Sequence, residues 1–199
     1  MNDVYLQKEF FRNLFKKKRS ALSRSEVINR SNLICENFLT KFLNKIANYQ
    51  DKKFALYHSA FNEVETDLIK NYFIDHKIIF AFGKINHSSQ IIEFLQYHQQ
   101  QHFEANAQFK NIIEPIDGEK IIPDFIITPL LAFDENFTRL GMGKGFYDRT
   151  IANLRTFNSK IKTIALAYDF QQSDSIIPYE KHDLALDFII LEKNIFFLN

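Results

Sequence analysis

Short apolar runs recur along this chain with helical patterns between them, and that alternation limits the fold more than any other feature. KKFALYHS (52–59), KIIFAF (77–82), IIEFLQYH (91–98), DFIITP (124–129), IKTIALAY (161–168) and DFIIL (187–191) read as strands. VETDLIKNYFID (64–75) and FYDRTIANLRTF (146–157) read as helices. Apolar strands separated by helices predict an α/β fold with a largely parallel, buried sheet, here as a single domain over 1–199. Two helices precede the first strand. The first, from residue 3 to about 20, carries Val4, Leu6, Phe10, Phe11, Leu14 and Phe15 as its apolar stripe and places Lys8 and Arg12 on one face. The second opens at the capping-box pair Ser23 and Glu26 and runs to about residue 48. Residues 99–111 are rich in Gln and Asn and form an excursion from the sheet. His98 and His102 are four apart there, but no HExxH arrangement surrounds them, so they read as surface histidines.

Glycine is scarce, with five in 199 residues, yet Gly141, Gly143 and Gly145 fall together in RLGMGKGFYDR (139–149). Alternating glycines let a backbone turn successive N–H groups toward one point and form an anion nest. A helix beginning at once adds its unpaired N–H groups and dipole. Lys144 supplies a point charge and Arg139 a planar, bidentate one, which suits a polyphosphate. The loop is not a P-loop, because Gly145 follows the lysine where Ser or Thr is required. GMGKGF also lacks the sixth-position glycine of a dinucleotide fingerprint. The competing reading is a tight turn carrying solvated charges. Asp148, one turn into the helix, is either a favourable partner for the helix dipole or a Mg2+ ligand beside phosphate. Asp183, in the turn PYEKHD (178–183), is open in the same way.

Composition removes other classes. Lys plus Arg number 25 against 24 Asp plus Glu, a net charge of +1, so neither nucleic acid nor an anionic membrane is attracted by overall charge. The basic run 16-KKKR-19 reads as a solvated helix face. With 46% hydrophobic residues, including 22 Phe, a large core is available. A lone cysteine, Cys35, forms no internal disulfide, and the charged start MNDVYLQKEFFRN does not read as a signal peptide. The most apolar segment, 121–133, is interrupted by Pro123, Asp124 and Pro129 and does not read as a membrane span. A soluble, cytoplasmic protein is expected.

The run IITPLLAFDENFTRLGMGKGFYDRTI (126–151) resembles the signature of the 5-formyltetrahydrofolate cyclo-ligase (methenyltetrahydrofolate synthetase) family. That signature is a hydrophobic strand, P-x-x-x-F-D, then R-L-G-x-G-x-G-[YF]-Y-D-R. Further similar pieces follow in order: Lys8-x3-Arg12, YHSAFNEVET (57–66), FLQYH (94–98), IEP (113–115), YDFQ (168–171) and PYEKHD (178–183). The resemblance implies a three-layer α/β/α fold like that of sugar-phosphate isomerases and coenzyme A transferases. It also implies ATP- and Mg2+-dependent closure of 5-formyltetrahydrofolate to 5,10-methenyltetrahydrofolate, with reduced folate and ATP as partners and a monomer expected.

Carried over by position, Arg139, Leu140, Gly141, Met142, Gly143, Lys144, Gly145, Phe146 and Tyr147 match the ATP loop, with Lys8 and Arg12 as its N-terminal contacts. Lys144 and Arg139 take the catalytic charges, and Asp148 and Asp183 match the Mg2+ positions. Met142 through Phe146 also border the folate, while His58 and Glu63 match its substrate side. Phe146 and Tyr147 either stack on a ligand or pack the helix start against the sheet. The chain departs from the pattern at Phe82, where a proline is common, at Phe137, where glycine is usual, and at Phe146, where tyrosine is more frequent. A ligase acting on another N-formyl or carboxyl substrate, and a folate- or nucleotide-binding protein without turnover, are the competing functions.

Overall fold

The computed structural model describes residues 3–181 and 183–198. Helix α1 (Asp3–Ser20) leads through Ser23 into α2 (Arg24–Asn37). The capping box is present there: Ser23 Oγ accepts from Glu26 N, and the Glu26 carboxylate accepts from Ser23 N. A π turn (Phe38–Phe42) and a 3-10 turn (Leu43–Lys45) extend α2 before strand β1 (Phe54–Leu56). Then come α3 (Asp67–Asp75), β2 (Phe80–Asn86), β3 (Ile91–Gln96), the pair β4 (Phe103–Ala105) and β5 (Ile113–Pro115), and β6 (Phe125–Thr128). The short hairpin of β7 (Ala132–Phe133) and β8 (Arg139–Leu140) precedes α4 (Phe146–Phe157), β9 (Lys162–Leu166), β10 (Phe188–Ile190) and β11 (Ile195–Phe197).

Seven strands form one sheet in the order β11-β10-β9-β6-β1-β2-β3. Its five inner strands are parallel, as the apolar runs predict, and each edge is an antiparallel strand added by a hairpin. The two-residue period of each strand divides its side chains between two layers. Phe54 and Leu56, Phe80 and Phe82, and Phe125 and Ile127 face the cluster built with Ile34, Phe38, Ile69 and Phe73 of the α2–α3 layer. Ala55, Ala81 and Ile126 face the opposite cluster with Ile151 and Leu154 of α4. Large residues on one face and alanines on the other seat α4 close to the sheet. Cys35 lies fully buried in the first layer; burial pushes its thiol up to about 12, so it stays protonated at neutral pH. Among the described residues no helix is long and apolar enough to cross a membrane.

The sheet order reverses direction between β1 and β6. From β1 the chain builds outward through β2, then returns to lay β6 on the other side of β1. Such a switch point leaves a crevice at the carboxyl ends of the two strands. The segment after β1 carries His58 and Glu63, and the segment after β6 carries Arg139 and the glycine loop.

Two features differ from the sequence reading. The apolar run KIIFAF predicts a strand over 77–82, but β2 starts at Phe80: Lys77, at φ 56°, closes α3, with Ile78 N donating to Phe73 O. Helix α1 also turns part of its expected apolar stripe outward, although Phe15 is buried and Phe11 packs beside it. Its buried stripe is Lys8, Arg12, Phe15 and Arg19, while Leu6 and Phe10 are 52% and 66% exposed and Leu14 is exposed as well. The run 16-KKKR-19 is therefore not a uniformly solvated face, because Arg19 is only 2% exposed. Buried cations require partners, and those partners define the site.

Candidate active site

The glycine loop hangs from the β7–β8 hairpin, whose turn is organised by Asp134. This fully buried carboxylate accepts from the backbone N–H groups of Asn136 and Thr138 through Oδ1 and of Ile177 through Oδ2. Phe137, where the family pattern has glycine, holds φ 61° in that turn and packs beside Leu130, Phe133 and Leu186. Its left-handed backbone accounts for the usual glycine; its packing accompanies the departure.

Each glycine of the loop lies against an arginine. A Cβ on Gly141 would stand 3.0 Å from Arg139 Nη1, on Gly143 3.1 Å from Arg12 Cζ, and on Gly145 2.7 Å from Arg149 Nη1. Gly143 and Gly145 also have φ of 91° and 67°. Three guanidinium groups thus pack where side chains are missing, which answers why a glycine-poor chain gathers its glycines here. Arg12 Nε donates to Gly141 O at 3.1 Å, and its Nη1 to Glu9 at 2.6 Å. Arg149 Nη2 donates to Lys144 O at 2.8 Å, and its Nε to Gln90 O at 3.0 Å, tying the loop to the turn between β2 and β3.

Arg139 Nη2 donates to both oxygens of Asp148 at 2.9 Å, and its Nη1 to Pro129 O at 3.2 Å. Lys8 Nζ reaches Asp183 Oδ2 at 2.5 Å and Glu180 Oε2 at 2.7 Å. The two carboxylates expected to hold Mg2+ are therefore each beside a cation expected to hold phosphate. Among the described residues no group of three or more His, Cys, Asp and Glu gathers to make a metal cage. Two carboxylates are nevertheless the set that Mg2+ takes when phosphate oxygens complete its shell. Lys144 is exposed, and its Nζ lies 5.9 Å from the centroid of the Phe109 ring. Met142 is also exposed, whereas the Leu140 side chain is buried with Phe15, Leu131 and Ile177, leaving only its backbone to face a ligand.

On the folate-side positions, His58 stacks on Phe82 at 4.1 Å and meets Phe103 edge-on at 4.7 Å. Burial, with help from the charge of Lys70, holds its pKa below the usual histidine range. The ring is thus neutral at pH 7, and Phe82, in place of the common proline, gives it a stacking partner. Glu63 accepts from Ala60 N at 3.0 Å and lies 3.6 Å from Arg19 Nη1. Burial pushes its carboxyl upward, opposed by Arg19 and the Ala60 N–H. Tyr147 stands between the two halves of the site, with Arg139 5.6 Å from its ring and its hydroxyl pKa raised by burial and then by the charge of Glu63. Phe146 meets Phe109 edge-on at 5.9 Å. Both aromatics also pack against the α4-side core.

The excursion 99–111 thereby borders both halves, through Phe103 at His58 and Phe109 at Phe146 and Lys144. Its Gln- and Asn-rich sequence gave no sign of this. Arg149 and Arg19 were likewise missed as partners of the site; the only signal for Arg149 was its place in the signature, four residues beyond Gly145.

A sequence model of the 5-formyltetrahydrofolate cyclo-ligase family matches residues 5–192. The chain belongs to this family. Membership makes it an enzyme of the ligase class, and its mostly parallel α/β sheet is that of the family's solved structures. The chain is 35% identical over 150 residues to the 5-formyltetrahydrofolate cyclo-ligase of Haemophilus influenzae, covering 72% of this chain and 78% of that one. It is 28% identical to the enzyme of that name from Mus musculus over 187 residues, 89% of each chain. The structure of a 5,10-methenyltetrahydrofolate synthetase from Aquifex aeolicus superposes with a TM-score of 0.76 at 28% identity, covering 94% of this chain and 91% of that one. That of the Mycoplasma pneumoniae synthetase gives 0.71 at 25% identity, covering 92% and 97%.

Proposed function

We propose that this protein closes 5-formyltetrahydrofolate to 5,10-methenyltetrahydrofolate, with ATP converted to ADP and phosphate. The observation that carries this reading is the inward basic face of α1. The helix leaves Phe10 exposed and buries Lys8 and Arg12, and Arg12 packs directly on the glycine loop. A tight turn with solvated charges would leave these cations in water, whereas an anion site would gather them at the loop.

A formamide carbon is a poor electrophile, and its oxygen is a poor leaving group. Transfer of the γ-phosphoryl group to the formyl oxygen breaks the bond to ADP and forms an O–P bond. The neighbouring N10 then attacks the formyl carbon, the C–O bond breaks with phosphate departing, and the N10 proton is released. Phosphoryl transfer depends mainly on positioning and charge. Arg139 and Lys144 would meet the charge developing on the phosphates, with Lys8 and Arg12 holding the outer phosphate edge.

Among the described residues around the loop, Lys8 is paired with Glu180 and Asp183, Arg12 with Glu9, and Arg139 with Asp148. A polyphosphate would add negative charge beside these carboxylates. Asp148 and Asp183 would hold a Mg2+ that arrives with ATP and neutralises part of the phosphate charge. When phosphate draws Arg139 and Lys8 toward itself, their carboxylates become available. On the other side, neutral His58 supplies a flat face and Glu63 a hydrogen-bond acceptor for the folate. Fixing N10 against the activated carbon supplies up to roughly 7–11 kcal/mol of the rate enhancement.

The test is the absorbance of the methenyl product with purified protein, 5-formyltetrahydrofolate, Mg2+ and ATP. Formation should require ATP and release one phosphate per ring closed. Phosphate release at the same rate without folate, or folate binding without turnover, would overturn the reading.

A further inference from the structure

Glu63 sits on an unusually constrained turn. Its two preceding residues, Phe61 and Asn62, have φ of 52° and 58°, and Glu63 N donates to Ala60 O at 2.9 Å. Consecutive left-handed residues without glycine persist only where the surroundings fix them. The end of α1 does so here. Asn62 Nδ2 donates to Arg19 O at 3.2 Å and Leu22 O at 3.1 Å. The Arg19 side chain, 3% exposed, stands against the Glu63 carboxylate, itself 10% exposed, and donates through Nη1 to Leu130 O at 3.0 Å.

Arg19 therefore touches both arms of the switch point: the turn after β1 through Glu63, and the link after β6 through Leu130. The phenol of Tyr57 donates to Val64 O at 2.9 Å, next in the chain to Glu63. Tyr147, on α4, feels the charges of both Glu63 and Arg139. Among the described residues no phosphate-side contact involves Arg19, so the nucleotide half of the site does not account for its buried charge.

We infer that Arg19 is a positioning residue for the reduced folate: through its ion pair with Glu63 it fixes the carboxylate of the strained turn. This rests on the reading of Glu63 as a folate-side residue. Lysine keeps the charge at position 19 but loses the planar guanidinium that spans Glu63 and Leu130.

The experiment is a double-mutant cycle of Arg19→Lys and Glu63→Gln, read as the calorimetric Kd for 5-formyltetrahydrofolate and for ATP, with thermal unfolding of each variant. Arg19→Lys should weaken folate binding roughly 10- to 100-fold, the scale of one lost hydrogen bond to a charged group, and leave ATP binding in place. In the Glu63→Gln background it should weaken folate binding no further. Multiplying losses, unchanged folate binding in Arg19→Lys, or equal loss of folate and ATP would each overturn the inference. Wild-type folate binding in Glu63→Gln alone would instead remove the folate-side assignment of Glu63, and the inference with it.

Discussion

Replacing Lys144 with alanine is expected to lower ring closure by roughly 10²–10³-fold, with little change in folding stability. The first number is the cost of losing one preorganised donor to transition-state charge, about 2.7–4 kcal/mol. The second follows from where the side chain lies. Lys144 is exposed on the glycine loop, and the aromatic face of Phe109 is 5.9 Å away. Surface substitutions without buried partners usually shift stability by no more than about 0.5 kcal/mol. The loss should fall on kcat more than on the KM for ATP, because the charge it meets grows as the phosphoryl group transfers. Thermal unfolding and steady-state kinetics on the same preparation check both halves. A variant with wild-type kcat would remove Lys144 from the transition state, and one that unfolds at a much lower temperature would make it structural.

Gly143→Ala should also be damaging, by another route. The residue holds φ 91°, and an added Cβ would stand 3.1 Å from Arg12 Cζ and 3.2 Å from Arg12 Nε. Arg12 Nε is the atom that donates to Gly141 O. The methyl group therefore strains the backbone and also displaces the arginine that ties α1 to the loop. Arg12 must give by a few tenths of an ångström, so the cost should stay below the roughly 100-fold of a 1 Å misplacement, and it is expected here as a raised KM for ATP. Folate Kd measured without ATP should also rise, because Gly143 is among the loop residues expected to border the folate, but by less than the KM for ATP, because Glu63 and His58 are held by other contacts. Equal effects on both substrates would show that the loop and the folate side are not separable.

The scarcity of glycine also accounts for what the sequence left illegible. Helix α4 could be read to its ends, because its apolar period and the glycines before it agree. Helix α2 could be entered correctly at its capping box. Turns were harder. Asn48, Phe61, Asn62, Lys77, Gln90 and Phe137 all take positive φ without glycine. At Lys77 this hid the end of α3 and shifted β2; at Phe61 and Asn62 it hid the turn that carries Glu63. Periodicity placed α1 but could not say which face it turns inward. That face is decided by Gly141, Leu130, Glu180 and Asp183, all more than a hundred residues away in sequence. The chemistry of the glycine loop was legible because its residues are contiguous. Its pairing with α1, and the excursion that brings Phe103 and Phe109 to the site, depend on tertiary contacts that no local pattern records.

Phosphoryl transfer from ATP to the formyl oxygen, followed by C–O cleavage, carries that oxygen into the released phosphate. The most direct measurement uses 5-formyltetrahydrofolate labelled with oxygen-18 in its formyl group and follows the label by mass spectrometry after a complete turnover. The phosphorylated route predicts the label in the released phosphate. Label in water, with unlabelled phosphate, would contradict it and leave ATP hydrolysis as a separate event.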